Sequence, residues 1–194
     1  MTITGCAPSP SGGELLAQAR EINFEMKEVV AELQLYIYDG DWDVPTYGIQ
    51  PKKCGAEGYR FDFIRSTPTD REWRLPQGSP RQTADDLMRW LEEHEWTDIV
   101  LRSFTDGIAD ITVTARNPSA HIDDLLITVS PGKVTDGITL RTTSTCEPGD
   151  NSDLSDLMFP EGFDGYTFPK SEHPTAEPHF EWAPGDKPTP TPTP

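Results

Sequence analysis

The longest regular pattern in the chain is an apolar stripe that runs from Glu14 to about Tyr38. Its apolar residues recur every three or four positions, which is the spacing of one face of an α-helix. Gly40 follows the stripe and is expected to end the helix. The sequence therefore predicts a long amphipathic helix whose buried face comprises Leu15, Ala19, Ile22, Met26, Val29, Leu33 and Ile37.

The pattern changes to an alternation of period two between Gly58 and Arg65. Tyr59, Phe61 and Phe63 alternate with Arg and Asp, which is typical of a strand with one buried face. The following residues, 67–78, contain Pro68 and Pro76 and are expected to form a loop.

A second, shorter helix is predicted from Ser79 to about His94. Ser79-Pro80-Arg81-Gln82 is a capping-box pattern with proline at the first helical position. Four apolar residues, Ala84, Leu87, Met88 and Leu91, would then face inward.

Four more strands are predicted at 97–104, 108–115, 122–129 and 134–143. The first two are separated by Thr105-Asp106-Gly107, and the last two by a turn containing Pro131-Gly132. Such short links favour antiparallel pairing. We therefore expect an α+β fold: an antiparallel sheet of about four to five strands, with both helices packed on one face.

Regular patterning covers residues 14–146, which we interpret as a single α+β domain. Residues 1–13 precede it as a short N-terminal tether. Residues 147–169 lack periodicity and are expected to form an irregular arm. Residues 170–194 end in repeated Pro-Thr pairs and are expected to form a disordered tail.

Composition narrows the range of partners. The 194 residues include 33 acidic and 16 basic side chains, for a formal net charge of -17. This charge argues against binding to nucleic acid or to the surface of an anionic membrane, because both need clustered Lys and Arg. A basic partner or a divalent cation remains open. No cofactor motif is found, so no cofactor is expected.

Three cysteines, Cys6, Cys54 and Cys146, are present. In a reducing compartment all three would be unremarkable. In an oxidising compartment Cys54 and Cys146 are the natural pair, because they bracket the patterned strands. Cys6 is then left over and needs a separate explanation.

The tetrapeptide Ile3-Thr4-Gly5-Cys6 resembles the lipobox of bacterial lipoproteins. In that family the cysteine thiol carries a diacylglyceryl group, and the signal peptide is cut just before it. The resemblance implies lipid attachment at Cys6, with residues 7–13 as a flexible tether. Only Met1 and Thr2 precede the box, so we expect the signal peptide to be missing from this chain. The alternative is an incidental N-terminal cysteine.

Two further patterns extend the resemblance. C-G-x-x-G-Y-x-F spans Cys54 to Phe61, and W-L-x-x-x-x-W spans Trp90 to Trp96. With the lipobox, they resemble small secreted lipoproteins of actinobacteria over residues 6–146. The resemblance implies an address in the cell envelope, anchored to the outer face of the cytoplasmic membrane, with an envelope protein or a cell-wall component as partner.

Candidate metal ligands are few. Asp39, Asp41 and Asp43 are spaced as at the start of a calcium loop, but Val44 and Gln50 occupy the positions that the loop assigns to Gly and Glu. An acidic turn is the better interpretation, and these residues remain weak calcium candidates. A second acidic cluster, Asp150, Asp153 and Asp156, favours a hydrophilic loop.

No catalytic motif is found. The four histidines, His94, His121, His173 and His179, lack the spacing of a zinc site, and no motif of a serine or cysteine nucleophile is present. Glu92, Glu93 and Glu95 are interpreted as a solvated helix end. Trp42 and Trp73 lie in predicted loops and are candidates for contact with a ligand, with packing under the loop as the alternative.

Three functions remain open. The leading hypothesis is a non-enzymatic envelope lipoprotein that acts as a binding module. The second is an extracellular hydrolase whose site is assembled from residues distant in sequence. The third is a cytosolic protein with free thiols.

Overall fold

The chain forms an α+β fold built from three α-helices, a seven-stranded antiparallel sheet and a separate three-stranded sheet. This is a computed structural model, and it describes residues 10, 12–69, 72–76, 78–104, 109–159 and 168–180. The predicted fold class is confirmed, but the main sheet has seven strands rather than four to five. In chain order the elements are α1 (Gly12–Ile37), β1 (Trp42–Thr46), β2 (Lys52–Lys53), β3 (Gly58–Arg60), β4 (Asp62–Ser66), α2 (Pro80–Glu93), β5 (Thr97–Ser103), β6 (Ile111–Asn117), a short 3-10 helix (Pro118–Ala120), β7 (Ile122–Ser130), β8 (Gly137–Ser144), β9 (Glu147–Pro148), α3 (Asn151–Met158) and β10 (Ser171–Glu172).

The main sheet has the strand order β10-β1-β4-β8-β7-β6-β5. Its two hairpins, β5–β6 and β7–β8, are those that the turn signals predict. Strand β6 begins at Ile111 rather than 108, and β8 begins at Gly137 rather than 134. Alternate residues of the central strands are buried, so one face of the sheet carries the core.

The strand predicted at 58–65 is in fact two strands that belong to different sheets. Strand β3 pairs with β2 and β9, whereas β4 pairs with β8 and β1. The break falls at Phe61, whose backbone N–H donates to the Ser144 hydroxyl at 2.8 Å. The Ser144 N–H donates in turn to the Phe61 carbonyl, which satisfies the backbone where the ladder changes partners.

Helix α1 follows the predicted stripe, with one shift in its buried face. Val30 is fully buried, whereas Val29, which the stripe places in the core, is only partly buried. The buried face also contains Asn23, Lys27 and Gln34, which the apolar stripe left out. Asn23 donates its amide to the Gly48 carbonyl at 2.7 Å, so its burial is partly compensated.

Helix α2 begins as predicted, because the Ser79 hydroxyl accepts a hydrogen bond from the Gln82 N–H. It packs on β5, β6 and β7, while α1 packs against α3 and the short 3-10 helix. The packing of the two helices therefore differs from the prediction that both lie on one face of the sheet. The helix face is also as expected, except that Met88 is only partly buried.

The region after Cys146 is more regular than its sequence suggests. Residues 147–169 were expected to be an irregular arm, but they contain β9 and α3. The Asp150 carboxylate accepts hydrogen bonds from the N–H groups of Ser152 and Asp153 and so caps α3. Leu154 and Met158 are buried, and α3 packs on α1. The second acidic cluster is thus a helix start rather than a loop.

A disulfide joins Cys54 to Cys146, with a Cα–Cα distance of 5.8 Å. The pair expected for an oxidising compartment is therefore confirmed. The bond links the residues that lead into β3 and β9 of the small sheet. It closes a loop of 92 residues, which contributes about 4–5 kcal/mol in the chain-entropy model. Cys6 lies outside the described residues.

In the described part of the chain, we find no helix with the length and apolar character needed to cross a membrane.

Candidate functional site

A cavity of about 410 Å³ lies between α1, the β1–β4 end of the main sheet and the residues that follow β10. Its volume is within the usual range for small-molecule sites. Helix α1, Tyr47 and β4 provide the inner wall, and residues 172–178 provide the outer wall. The lining residues are Phe24, Lys27, Glu28, Ala31, Gln34, Tyr47, Phe63, Arg65, Glu172, His173, Pro174, Thr175, Ala176, Glu177 and Pro178.

Lys27 is the most unusual residue of this cavity. Its side chain comes from the buried face of α1, and the residue is 8% exposed. Its ammonium group donates one long hydrogen bond, 3.4 Å, to the His179 carbonyl and lies 4.4 Å from the centre of the Tyr47 ring. Among the residues that the structure describes, no carboxylate forms an ion pair with it. Burial, together with the nearby charge of Arg65, lowers the pKa of Lys27 to about 7.

Arg65 is the second buried cation, and its charge is compensated. Its guanidinium donates to Glu172 Oε2 at 3.1 Å and to the carbonyls of Thr46 and Ile64 at 2.9 and 3.1 Å. The Tyr47 hydroxyl donates to the other oxygen of Glu172 at 3.4 Å. Burial and the charge of Glu172 raise the pKa of Tyr47 to about 12. Arg65 and Glu172 therefore neutralise each other. The positive charge of Lys27 is left without a counter-charge among the described residues.

Residues 168–180, here called the C-terminal segment, line one side of this cavity and pack against the rest of the protein at both ends. Phe168 stacks on Tyr47 with ring centres 4.9 Å apart, and β10 pairs with β1. At the other end Phe180 is buried and meets Phe61 and Phe24 edge to face, at 5.7 and 6.2 Å. Residues 170–180 were expected to belong to a disordered tail, and residues 168–169 to the irregular arm. The aromatic anchors of the segment explain why residues 168–180 pack, and residues 181–194 lie outside the described part.

The rim of the cavity carries polar and acidic groups. Glu28 and Glu177 are exposed. His173 Nε2 lies 3.3 Å from the Asp39 carboxylate, and His173 Nδ1 lies 2.8 Å from the Thr175 hydroxyl. The Thr175 N–H also points to Nδ1, at 3.3 Å, so this contact is part of a local turn.

The candidate calcium ligands do not converge on a site. The Asp39 carboxylate contacts His173, Asp41 is exposed, and Asp43 accepts two hydrogen bonds from Thr69. Across the described ranges, no group of three or more His, Cys, Asp and Glu side chains is arranged to hold a metal ion.

Of the two candidate tryptophans, Trp42 is a core residue, whereas Trp73 packs against the core from a partly buried position. Trp42 is fully buried, and its indole N–H donates to the Tyr38 carbonyl at 3.1 Å. Trp73 is partly buried and meets Tyr38 edge to face. The loop assignment failed at Trp42 because this residue opens β1, a strand of the main sheet.

A second, shallower depression of about 530 Å³ lies on the other side of α1. We call it the acidic groove. It is lined by five glutamates, Glu25, Glu28, Glu32, Glu93 and Glu95, together with Val29, His94, Trp96 and residues at 117–120. Glu25 faces His121 at 3.5 Å. Glu93 and Glu95 are exposed at the end of α2, as expected of a solvated helix end, and so is Glu92.

Sequence reasoning missed the central residues of the cavity, although a signal for two of them was present. Lys27 shares a helix face with Asn23, Val30 and Gln34, at spacings of four, three and four. Arg65 has the same parity as Phe61 and Phe63, so it belongs to the buried face of its strand. Polar residues in phase with a buried face indicate a buried polar site. For Glu172, in a proline-rich tail, the sequence carries no comparable signal.

Comparison with known proteins gives little guidance. No protein-family model matches the sequence, and no curated protein matches it significantly. One similar solved structure is the crystal structure of a DUF4853 family protein from Actinomyces odontolyticus ATCC 17982, with 18% identity, a TM-score of 0.39 and coverage of 73% of each chain. This resemblance to an actinobacterial protein is distant, and a TM-score this low supports no conclusion about fold or function.

Proposed function

We propose that the protein is an exported, lipid-anchored binding protein of the cell envelope, and that its cavity holds a small ligand with one negative charge. The observation that carries this proposal is the buried ammonium group of Lys27, which has no ion-pair partner among the described residues. Burying a cation without a counter-charge is costly. An anionic ligand would supply the missing negative charge. The buried ammonium group would then destabilise the protein without ligand and favour binding of the anion.

The balance of charges defines the ligand more closely. Lys27 and Arg65 are opposed by the single carboxylate of Glu172, which leaves one positive charge when Lys27 is protonated. Glu28 and Glu177 at the rim oppose a ligand with a higher negative charge. The amide nitrogen of Gln34, buried in the cavity wall, has no hydrogen-bond partner within the described part of the chain and provides a further donor. A monoanion such as a carboxylate suits this arrangement better than a dianion.

The rest of the cavity suits a ligand whose anionic group is attached to an apolar part. Phe24, Ala31 and Phe63 line one side, and Pro174 and Pro178 line the other. These side chains offer no charge, and a volume of about 410 Å³ exceeds what a carboxylate alone fills. Small aromatic or aliphatic carboxylates therefore fit best.

The envelope address is proposed on separate grounds. The disulfide between Cys54 and Cys146 supports an oxidising compartment, where such bonds persist. The lipobox-like sequence before Cys6 supplies the attachment point, and two acyl chains suffice for stable anchoring. The ligand would then come from the surroundings of the envelope, either free or as part of a cell-wall component or another envelope protein.

The ligand proposal is tested by comparing benzoate with benzamide, which has the same shape but no charge. We expect benzoate at a concentration well above its Kd to raise the melting temperature of the protein, and benzamide to leave it unchanged, because only benzoate supplies a negative charge to Lys27. The variant Lys27→Met should lose the response to benzoate. Lys133→Met, which changes an exposed lysine, should keep it. An equal response to both compounds, or a response that survives Lys27→Met, would contradict the proposal.

The anchor is tested by labelling with radioactive palmitate in cells that express the complete gene. We expect label in the protein, and none in the variant Cys6→Ala. Cys54→Ala serves as the control for loss of a cysteine that is not the lipid site. An unlabelled protein recovered with free thiols would instead support the cytosolic alternative.

A further inference from the structure

Lys27 differs from the other lysines in more than its burial. The chain contains six lysines. Lys52, Lys53, Lys133 and Lys170 are exposed, and Lys187 lies outside the described residues. Of the five lysines that the structure describes, only Lys27 lines the cavity described above. An amine that is held in a cavity, next to a second cation and without an ion-pair partner, is the arrangement that favours a neutral, nucleophilic lysine.

Charged and titratable side chains from α1, β4, β10 and the C-terminal segment surround Lys27. Arg65 on β4 opposes its positive charge, whereas Glu172 on β10 favours it and is already shared between Arg65 and Tyr47. Glu28, one residue further along α1, and His173 and Glu177 in the C-terminal segment line the same cavity. Burial and Arg65 outweigh the carboxylates, since the pKa of Lys27 falls to about 7. About half of Lys27 is thus neutral at pH 7, against roughly one part in a few thousand for an ordinary lysine.

We propose that Lys27 captures a ligand covalently, by forming an imine with the carbonyl group of a small 2-oxo acid. The inference rests on the proposed function, because it assigns the ligand to the same cavity. The lone pair of Lys27 Nζ attacks the carbonyl carbon, and a C–N bond forms. The carbonyl oxygen takes up both amine protons and leaves as water, so no oxidant or reductant is needed.

The geometry favours a 2-oxo acid over a simple aldehyde. In a 2-oxo acid the carboxylate is attached to the carbonyl carbon, so after the reaction it lies next to the new bond to Nζ. The imine, once protonated, keeps the positive charge that the carboxylate neutralises. The ring of Tyr47 lies 4.4 Å from the amine, and its hydroxyl is hydrogen bonded to the carboxylate of Glu172. We expect this hydroxyl and carboxylate to carry the protons.

The test is reductive trapping of glyoxylate with cyanoborohydride at pH 7, with the modified lysines located by peptide mass spectrometry. Cyanoborohydride reduces an imine to a stable secondary amine, so each lysine reports its own rate. At limiting glyoxylate we expect Lys27 to react about 10- to 100-fold faster than Lys52, Lys53 and Lys133. Excess benzoate should slow the reaction at Lys27 alone. Propanal, which lacks the carboxylate, should show a smaller preference for Lys27.

Two variants make the result specific. Tyr47→Phe removes the hydroxyl but keeps the ring over Lys27, and it should slow trapping at Lys27 without changing the rates of the exposed lysines. Lys133→Arg removes an exposed lysine and should leave the rate at Lys27 unchanged.

The outcomes separate this inference from the proposed function. Equal rates at Lys27 and the exposed lysines, while benzoate still raises the melting temperature, would overturn the imine and leave the anion site standing. Equal rates together with no response to benzoate would overturn both. Selective trapping at Lys27 that benzoate slows would support both.

Discussion

Helix α1 carries charged side chains on two of its faces. On one face these side chains reach water, and on the other a charged side chain is buried. Towards the acidic groove it presents Glu25, Glu28 and Glu32, of which Glu28 and Glu32 are exposed and Glu28 also lies at the rim of the cavity. Towards the cavity it presents Lys27, which is buried and has no counter-charge among the described residues. Exposed charges of one sign cost little because water and salt screen them. A buried lone charge is costly, so its presence calls for a reason, and we infer that the reason is a ligand.

The largest expected effect comes from breaking the compensated pair beside Lys27. Arg65→Met would remove the charged partner of Glu172, which is partly buried, and the free energy of unfolding should fall by about 3–5 kcal/mol. Urea unfolding of the purified protein measures this loss. Arg81→Met, which removes an exposed partner of Asp85, is the matched control and should change stability by less than about 0.5 kcal/mol. Similar losses in both variants would remove the distinction between buried and exposed charge.

Lys27→Met should act in the opposite direction. It removes a buried charge and keeps an apolar side chain of similar length, so the free energy of unfolding at pH 7 should rise by about 1–4 kcal/mol. The same variant should lose the response to benzoate. Thermal unfolding measures the gain, and a large loss of stability would show that Lys27 is a structural residue rather than a ligand-binding one.

The gain from Lys27→Met should also depend on pH. The pKa of Lys27 is lower in the folded protein, about 7, than in the unfolded chain, about 10.4. Between these values the unfolded state binds more protons, so a rise in pH stabilises the wild-type protein. The advantage of the variant is therefore full at and below pH 7 and shrinks towards pH 10. An advantage that stays constant from pH 6 to pH 10 would contradict the lowered pKa.

Benzoate binding should show the corresponding trend. Benzoate pairs with the protonated form of Lys27, so its Kd should rise by about tenfold for each pH unit above 7, or about 1.4 kcal/mol per unit. Below pH 7 the Kd should level off. Titration calorimetry from pH 6 to pH 9 measures this dependence, and a Kd that is flat across this range would show that Lys27 does not bind the anion.

The smallest effect is expected on the acidic side of α1. Glu32→Gln changes an exposed carboxylate of the acidic groove, and it should alter the free energy of unfolding by less than about 0.5 kcal/mol. Benzoate binding should be unchanged. The contrast with Lys27→Met, on the same helix, compares the two faces directly in a single set of melting curves.

The parts of the fold that the sequence predicts are those set by local signals. The capping residues before α2 and the turns of the two hairpins specify their elements within a few residues. Strand β1 was not predicted from the sequence because it is five residues long and contains Pro45. It also pairs with β10, which lies far along the chain. Helix α3 was not predicted because its acidic start, capped by Asp150, resembles a hydrophilic loop.

The cavity was harder to predict, because it depends on contacts between distant residues. Lys27, Arg65 and Glu172 come from three separate stretches of the chain, and only the fold brings them together. The parity of Arg65 and the helix face of Lys27 would each have indicated a buried polar residue. Neither signal indicates that the two residues share one cavity. Nor does either signal indicate that Glu172 forms an ion pair with Arg65 and not with Lys27.

The most direct test of this account is the titration of the six lysines by NMR of the ε-carbons, in the intact protein, with and without benzoate. We predict that Lys27 titrates near pH 7, and that benzoate shifts the midpoint of Lys27 alone to higher pH. A midpoint for Lys27 at the ordinary value of a lysine side chain, about 10.4, unmoved by benzoate, would contradict the claim that this buried amine binds the ligand.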